Sequence, residues 1–260
     1  MIVLGLDTAT RATAVGLMLA DGRILQARDD PEGEQRPGHA TRLLPLAHRL
    51  LDDARLGWRA IERIAVGVGP GTFTGLRIGV ATARGLAQSL GVDLVGVSSL
   101  RALAHAARSA GPHEPSNVNG PGGASGRAGV GEVGVVDEAG GVLAAIDARR
   151  GEAFAAAYHG DVELIAPQPL SPAELAELRE HARALTGVRR WTALGDGAVR
   201  YRDELVRAGV LVPDDRSPLH RVSARAICEL GAGAAPEEGR VLPDYRRRPD
   251  AELALEGAPS

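Results

Sequence analysis

Residues Ile64 to Gly91, IAVGVGPGTFTGLRIGVATARGLAQSLG, constrain the fold more than any other stretch of the chain. The pattern predicts a short apolar strand over Ile64–Val68, a glycine-rich turn at Gly69-Pro70-Gly71-Thr72, and a helix that stops at Gly91. Thr72 or Thr74 suits the helix cap. Within the helix, Gly75, Gly79, Ala83 and Ala87 recur every four residues as one flat stripe. Leu76, Val80, Ala83, Leu86 and Leu90 form an overlapping apolar face. A glycine inside a helix costs about 1 kcal/mol relative to alanine. Gly75, Gly79 and Gly85 therefore need a compensating reason, and close approach by another backbone supplies one. Two uses fit the turn itself. It is either a phosphate cradle at a helix N-terminus or a tight strand-to-helix turn. Counted from Gly67, Thr72 stands where G-x-G-x-x-G needs its third glycine, and the chain has no lysine for a P-loop.

Composition narrows the class. The 260 residues are 44% hydrophobic and only 3% aromatic, which predicts a core packed from Ala, Val and Leu. Every basic residue is arginine, and the net charge of −3 gives no global field for nucleic acid. The single cysteine, Cys228, excludes an internal disulfide and suits a reducing compartment. No apolar run approaches the roughly 20 residues needed to span a bilayer. The expectation is a soluble, cytoplasmic protein with no membrane partner.

Taken in order, Met1–Leu6 predicts a strand buried on both faces, followed by strands over Thr13–Leu19 and Arg23–Ala27 about the turn Asp21-Gly22. His39–Ala54 carries Leu43, Leu46, Ala47, Leu50 and Ala54 at helical spacing. Pro45 should bend or unwind its first turn. After the central strand and helix come a strand at Asp93–Val97 and a helix begun by Ser98 or Ser99. Three antiparallel strands, then helix, strand, helix, strand and helix, is the order of a ribonuclease H-like domain, here 1–110. Residues 111–141 are rich in Gly, Pro, Ser and Asn and predict a linker or insertion.

The opening pattern then returns. Leu143–Ile146 leads into Asp147 as Val3–Leu6 leads into Asp7, and Ala153–Tyr158 answers Thr13–Met18 at the same offset, which predicts an internal duplication. In this second lobe, 142–235, Ser171, Pro172 and Glu174 form a capping box. Trp191–Leu194 predicts a strand, Gly195-Asp196-Gly197 opens a helix running to Ala208, and Ser223 caps a last helix. Residues 236–260 read as a tail.

GVGPGTFTGLRIGVATARGLA resembles the signature of the TsaB family, the dimerisation subunits of the bacterial tRNA threonylcarbamoyladenosine complex. MIVLGLDTAT, HATRLLP, VLAAIDARRGEAF and PDYRRR are similar to that family's other landmarks, in the same order. The resemblance implies an α/β fold of two ribonuclease H-like lobes, the architecture of actin, sugar kinases and the Hsp70 ATPase. It implies a non-catalytic scaffold that heterodimerises with the homologous catalytic subunit TsaD, and reaches the ATPase TsaE and tRNA through that complex. A homodimer of the isolated chain stays open. The partner surface would be the two helices of the first lobe, through His39, Leu43, Leu46, Leu50, Gly75, Leu76, Gly79, Val80 and Ala83. The alternative is a free-standing actin-fold ATPase or small-molecule kinase.

Asp7 stands where actin-like ATPases place a metal- or water-orienting aspartate. Here Ala9 replaces the glycine that lets their hairpin wrap phosphate, and a structural Asp7 bonded to its own hairpin fits as well. Gly195 and Gly197 resemble the adenosine-contacting turn of the same fold, although a strand-to-helix turn alone explains them, so Asp7, Thr8, Gly195 and Gly197 leave room for weak nucleotide binding without requiring a cofactor. The seven histidines include no i,i+4 pair, so no metal site is expected. Ser98 and Ser99 lack a His/Asp arrangement for proteolysis. Asp147-Ala148-Arg149-Arg150 suits an internal ion pair, and Arg246–Arg248 either touches RNA or is a solvated tail.

Overall fold

The computed structural model describes residues 1–33, 35–109, 139–236 and 240–246. Most of the expected insertion, together with Arg247 and Arg248, lies outside the described residues.

The first lobe is built on a five-stranded sheet in the order β3-β2-β1-β4-β5. β1 (Val3–Asp7), β2 (Thr13–Met18) and β3 (Ile24–Asp29) run antiparallel, while β4 (Arg63–Gly69) and β5 (Asp93–Ser98) lie parallel to β1. Burial on both faces explains the unbroken apolar run of β1, all five residues of which are buried. The turn between β2 and β3 holds Gly22 at φ +86, where a side chain would be strained. α1 (His39–Asp53) and α2 (Phe73–Leu90) cover one face of this sheet. α1 stays helical across Pro45 rather than unwinding, so only the missing proline N–H is lost. α2 ends as its glycine predicts: Gly91 is left-handed and its N–H reaches the carbonyl of Ala87.

The second sheet, in the order β8-β7-β6-β9, repeats the plan with β6 (Gly141–Arg149), β7 (Glu152–His159), β8 (Val162–Leu170) and β9 (Trp191–Leu194). Seven positions separate Asp7 from its cross-strand partner Ala14, but six separate Asp147 from Ala153. The second hairpin is one residue tighter, so the offset holds for the first strand of the repeat and not for the second. α4 (Pro172–Thr186) starts at the expected capping box on Ser171. The helix expected to run to Ala208 breaks at Tyr201 into α5 (Asp196–Arg200) and α6 (Arg202–Arg207). The buried Tyr201 ring, whose hydroxyl reaches the carbonyl of Glu152, turns the chain there. A parallel bridge between Thr192 and Leu211 stands where the counterpart of β5 would lie.

Each half closes on a helix lodged between the two sheets, α3 (Ser99–Ser109) and α7 (Ala224–Gly233). α7 packs on the first sheet, where the paired glycines Gly5 and Gly16 leave a dent for it. A Cβ on Gly5 would lie 2.6 Å from the sulfur of Cys228, and one on Gly16 2.9 Å from the carbonyl oxygen of Ala224. Arg63 fixes the far end of α7, its guanidinium reaching the carbonyls of Gly231, Ala232 and Ala234. The two lobes thus share a middle core, in which Val97, Leu100 and Leu103 meet Ile146, Tyr158 and Ile227.

Candidate functional site

The glycines of the central helix meet the β1–β2 hairpin. Thr8 is fully buried, and its hydroxyl donates a 2.7 Å hydrogen bond to the carbonyl of Gly75. A Cβ on Gly75 would overlap the carbonyl oxygen of Thr8, and one on Gly79 would overlap its hydroxyl. One turn earlier, the N–H of Thr72 donates to the carbonyl of Ala9 at 2.7 Å, and a Cβ on Gly71 would overlap that same carbonyl. The helix-start N–H of Thr72 is therefore satisfied by the hairpin backbone. Thr72 caps α2 by position alone, without a side-chain bond.

Asp7 lies beneath this contact. Its carboxylate accepts from the hydroxyl of Ser99 at 2.7 Å and from the N–H of Ala9 at 3.0 Å. Burial pushes its carboxyl above the usual range, with the two hydrogen bonds and Arg28 pulling the other way. Gly67 seals the remaining side, since a Cβ there would overlap the carboxylate. Ser99, which the sequence offers no catalytic partner, thus serves as a buried donor to Asp7.

Gly195 and Gly197 are explained by β6. Gly195 has φ +107, and a Cβ on it would overlap the carbonyl oxygen of Ala145. Gly197 packs on the carbonyls of Ala145 and Ile146. Between them, Asp196 accepts the N–H of Asp147 at 3.0 Å, and burial raises its carboxyl above the ordinary value. Asp147 in turn pairs with Arg149 at 3.7 Å, the ion pair anticipated within this hairpin, and more closely with Arg200 of α5 at 3.1 Å. α3 stands between the Asp7–Thr8 and Gly195–Gly197 groups, with Ser99 bonded to Asp7 and Leu103 against Gly195.

The residues assigned to a partner surface fall differently from the sequence expectation. Leu43, Leu50, Leu76, Val80 and Ala83 are buried in the first lobe's own core, and Gly75 and Gly79 face Thr8. His39 is buried at the start of α1, its Nδ1 2.9 Å from the hydroxyl of Thr13, and burial holds its imidazole below the ordinary value. Leu46 alone of the nine keeps a partly exposed side. Periodicity gave the stripe correctly; the backbone that approaches it belongs to the same chain. The outward face of α2 consists instead of Thr74, Ile78, Ala81 and Gly85, and on α1 Leu44 is 43% exposed. A Cβ on Gly85 would meet nothing within 4 Å. The cost of a mid-helix glycine was the signal for this face, and at Gly85 no contact within the described residues answers it.

Among the described residues no three His, Cys, Asp or Glu side chains converge on a metal position, and no helix is long and apolar enough to cross a membrane.

Comparison with known proteins places this geometry. Residues 31–181 match the family model described as TsaD, tRNA N6-adenosine threonylcarbamoyltransferase. The chain is 31% identical over 215 residues to the tRNA threonylcarbamoyladenosine biosynthesis protein TsaB of Escherichia coli, covering 82% of this chain and 79% of that protein. It is 35% identical over 118 residues to TsaB of Haemophilus influenzae, where the match spans 45% of this chain and about half (47%) of the relative. Among solved structures, YeaZ from Pseudomonas aeruginosa superposes with a TM-score of 0.64 at 28% identity, covering 89% of this chain and 90% of that one. The repeated sheets, the order of elements and these matches agree, and the chain belongs to the TsaB/YeaZ family of tRNA threonylcarbamoyladenosine biosynthesis proteins.

Proposed function

We propose that this chain is a scaffold subunit for threonylcarbamoylation of tRNA, activating the homologous catalytic subunit TsaD by pairing with it. The observation that carries the non-catalytic part is the hairpin packed on α2. The β1–β2 hairpin is closed on α2 by the Thr8 hydroxyl, which donates to the carbonyl of Gly75, and by the carbonyl of Ala9, which accepts the N–H of Thr72, and Asp7 is buried under them. That arrangement favours a scaffold over a free-standing ATPase or kinase. No nucleotide or metal is required by the chain alone, and TsaE and tRNA are reached through the complex.

The pairing surface is the outward side of α1 and α2. Leu44, Leu46, Ile78, Ala81 and Gly85 make the contact, and the buried residues beneath, from His39 to Ala83, hold the two helices in place. Exposed small side chains let a second helix come close, which is the use for an otherwise costly Gly85. The test is co-expression with the catalytic subunit of the same genome. Leu44→Glu and Leu46→Glu should each fold, fail to co-purify, and fail to restore the modified adenosine in tRNA. Normal co-purification and modification by both variants would remove this surface from the account.

A further inference from the structure

Residues 240–246 are tied to α2 at points that the pairing of two helices does not use. Val241 is buried in the first lobe's core beside the C-terminal half of α2, and the N–H of Asp244 donates to the carbonyl of Val68 at 2.7 Å. Tyr245 then closes over the start of α2, its ring centroid 5.1 Å from that of Phe73. Arg77 joins the two rings: its guanidinium carbon lies 3.7 Å from the centre of Phe73, and its Nε donates to the Tyr245 hydroxyl at 3.1 Å. Further along, Arg84 and Gln88 line a cleft with Arg240 and Val241. Phe73, Arg77, Arg84 and Gln88 share one flank of the helix. Residues 240–246 therefore run antiparallel to α2 as a strap along that flank.

The strap leaves Leu242 59% and Tyr245 41% exposed, next to the outward row of Thr74, Ile78, Ala81 and Gly85. On the opposite flank Leu86 packs into the core that α1 closes. The open row thus forms a floor between two walls, α1 and the strap. Size bears on what this floor can hold. A helix rises about 1.5 Å per residue and is about 10 Å wide, so the outward sides of α1 and α2 together cover a flat footprint of about 500 Å². A standard interface uses about 800 Å² from each partner. That figure is accessible surface, which exceeds a footprint, so the two helices supply most of what one partner needs and the seven-residue extended strap widens the surface along one edge.

We propose that the strap is the second wall of the partner surface, with Leu242 and Tyr245 touching a homologous two-lobed subunit whose own α2 counterpart lies along Gly85. The inference rests on the pairing proposed above. A homologous partner suits the floor because the matched TsaD family region, 31–181, spans both helices, so the same face is available on each side. The Phe73–Arg77–Tyr245 stack holds the strap in register, making Arg77 a positioning residue.

The experiment is a binding titration of the full chain against the catalytic subunit of the same genome. Leu242→Asp, at an exposed position, and Tyr245→Ala should each weaken affinity at least tenfold while circular dichroism stays unchanged. Tyr245→Phe keeps the ring and loses only the bond from Arg77, so it should cost less than threefold. Leu242→Asp and Tyr245→Ala both binding within twofold of the wild type would overturn the role of the strap and leave the helix pairing standing. No binding by the wild-type chain would overturn both. Tyr245→Ala that lowers tRNA binding by the assembled complex at unchanged protein affinity would make the strap an RNA contact and would overturn the proposal as well.

Discussion

Thr8 and Gly75 are joined across the first lobe by a 2.7 Å hydrogen bond from a buried hydroxyl to a helix carbonyl. Gly79, one turn further on, leaves room for that hydroxyl. The stripe of small residues in α2 is thereby assigned to the interior.

Gly79→Ala is accordingly expected to destabilise the fold rather than an interface. The new methyl would collide with Thr8, and overpacking of this kind costs about 1–3 kcal/mol. For a chain of this size each kcal/mol lowers Tm by about 2–4 °C. Thr8→Ala in the same chain removes the colliding oxygen, so the two losses should add to less than their sum in a double-mutant cycle. Thermal melts of the four proteins measure it.

Asp7 gives a pH prediction whose sign follows from its burial. The folded chain holds this carboxyl above 3.8, so folding favours the proton. The resulting stability is fully present below the unfolded value and is lost as pH rises through the folded value. Asp7→Asn removes that dependence, keeps an acceptor for Ala9, and offers a donor to Ser99. It should be at least as stable as the wild type at neutral pH, with a flatter stability profile on the acid side. Asp7→Ala leaves the Ser99 hydroxyl and the Ala9 N–H without their acceptor and should cost about 1–3 kcal/mol. Urea titrations from pH 4 to pH 8 provide the comparison.

Much of the fold was legible because it is written locally. Asp21-Gly22, Gly91 and the Ser171–Glu174 box mark their turns and caps through chemistry within a few residues. The duplicated Asp7 and Asp147 strands stood out because the repeat is a sequence property. What the sequence hid depends on distant contacts. Periodicity located the Gly75–Gly79–Ala83 face but not what covers it, since Thr8 is 67 residues from Gly75. β8 escaped because Pro167 and Pro169 disguise an edge strand, where a missing N–H is tolerated. The strap looked like a tail because Pro243 and its arginines suggest solvent, while its anchors, Val68, Phe73 and Arg77, lie far back in the chain.

Cys228 offers a probe of the middle core. Burial pushes its thiol up to about 12, and its sulfur sits against Gly5 and Gly16. At pH 8 the buried thiol stays protonated. Reaction with a thiol reagent should therefore be undetectable in the native chain and should appear only with denaturant, tracking loss of α7 from the first sheet. Prompt labelling of native protein would mean that α7 is not seated as described.

The outward face of α2 is the centre of the account, and Gly85→Arg tests it most directly. The position is exposed with nothing within 4 Å, so the substitution should fold, and better helix propensity should stabilise the free chain by about 0.5–1 kcal/mol. A long charged side chain on the floor of the partner surface should nevertheless abolish binding to the catalytic subunit. The measurement is the affinity of that pair for wild type and Gly85→Arg, taken beside the melting temperature of each free chain. The account predicts a Tm equal to or above wild type together with loss of detectable binding; wild-type affinity in a well-folded Gly85→Arg variant would contradict it.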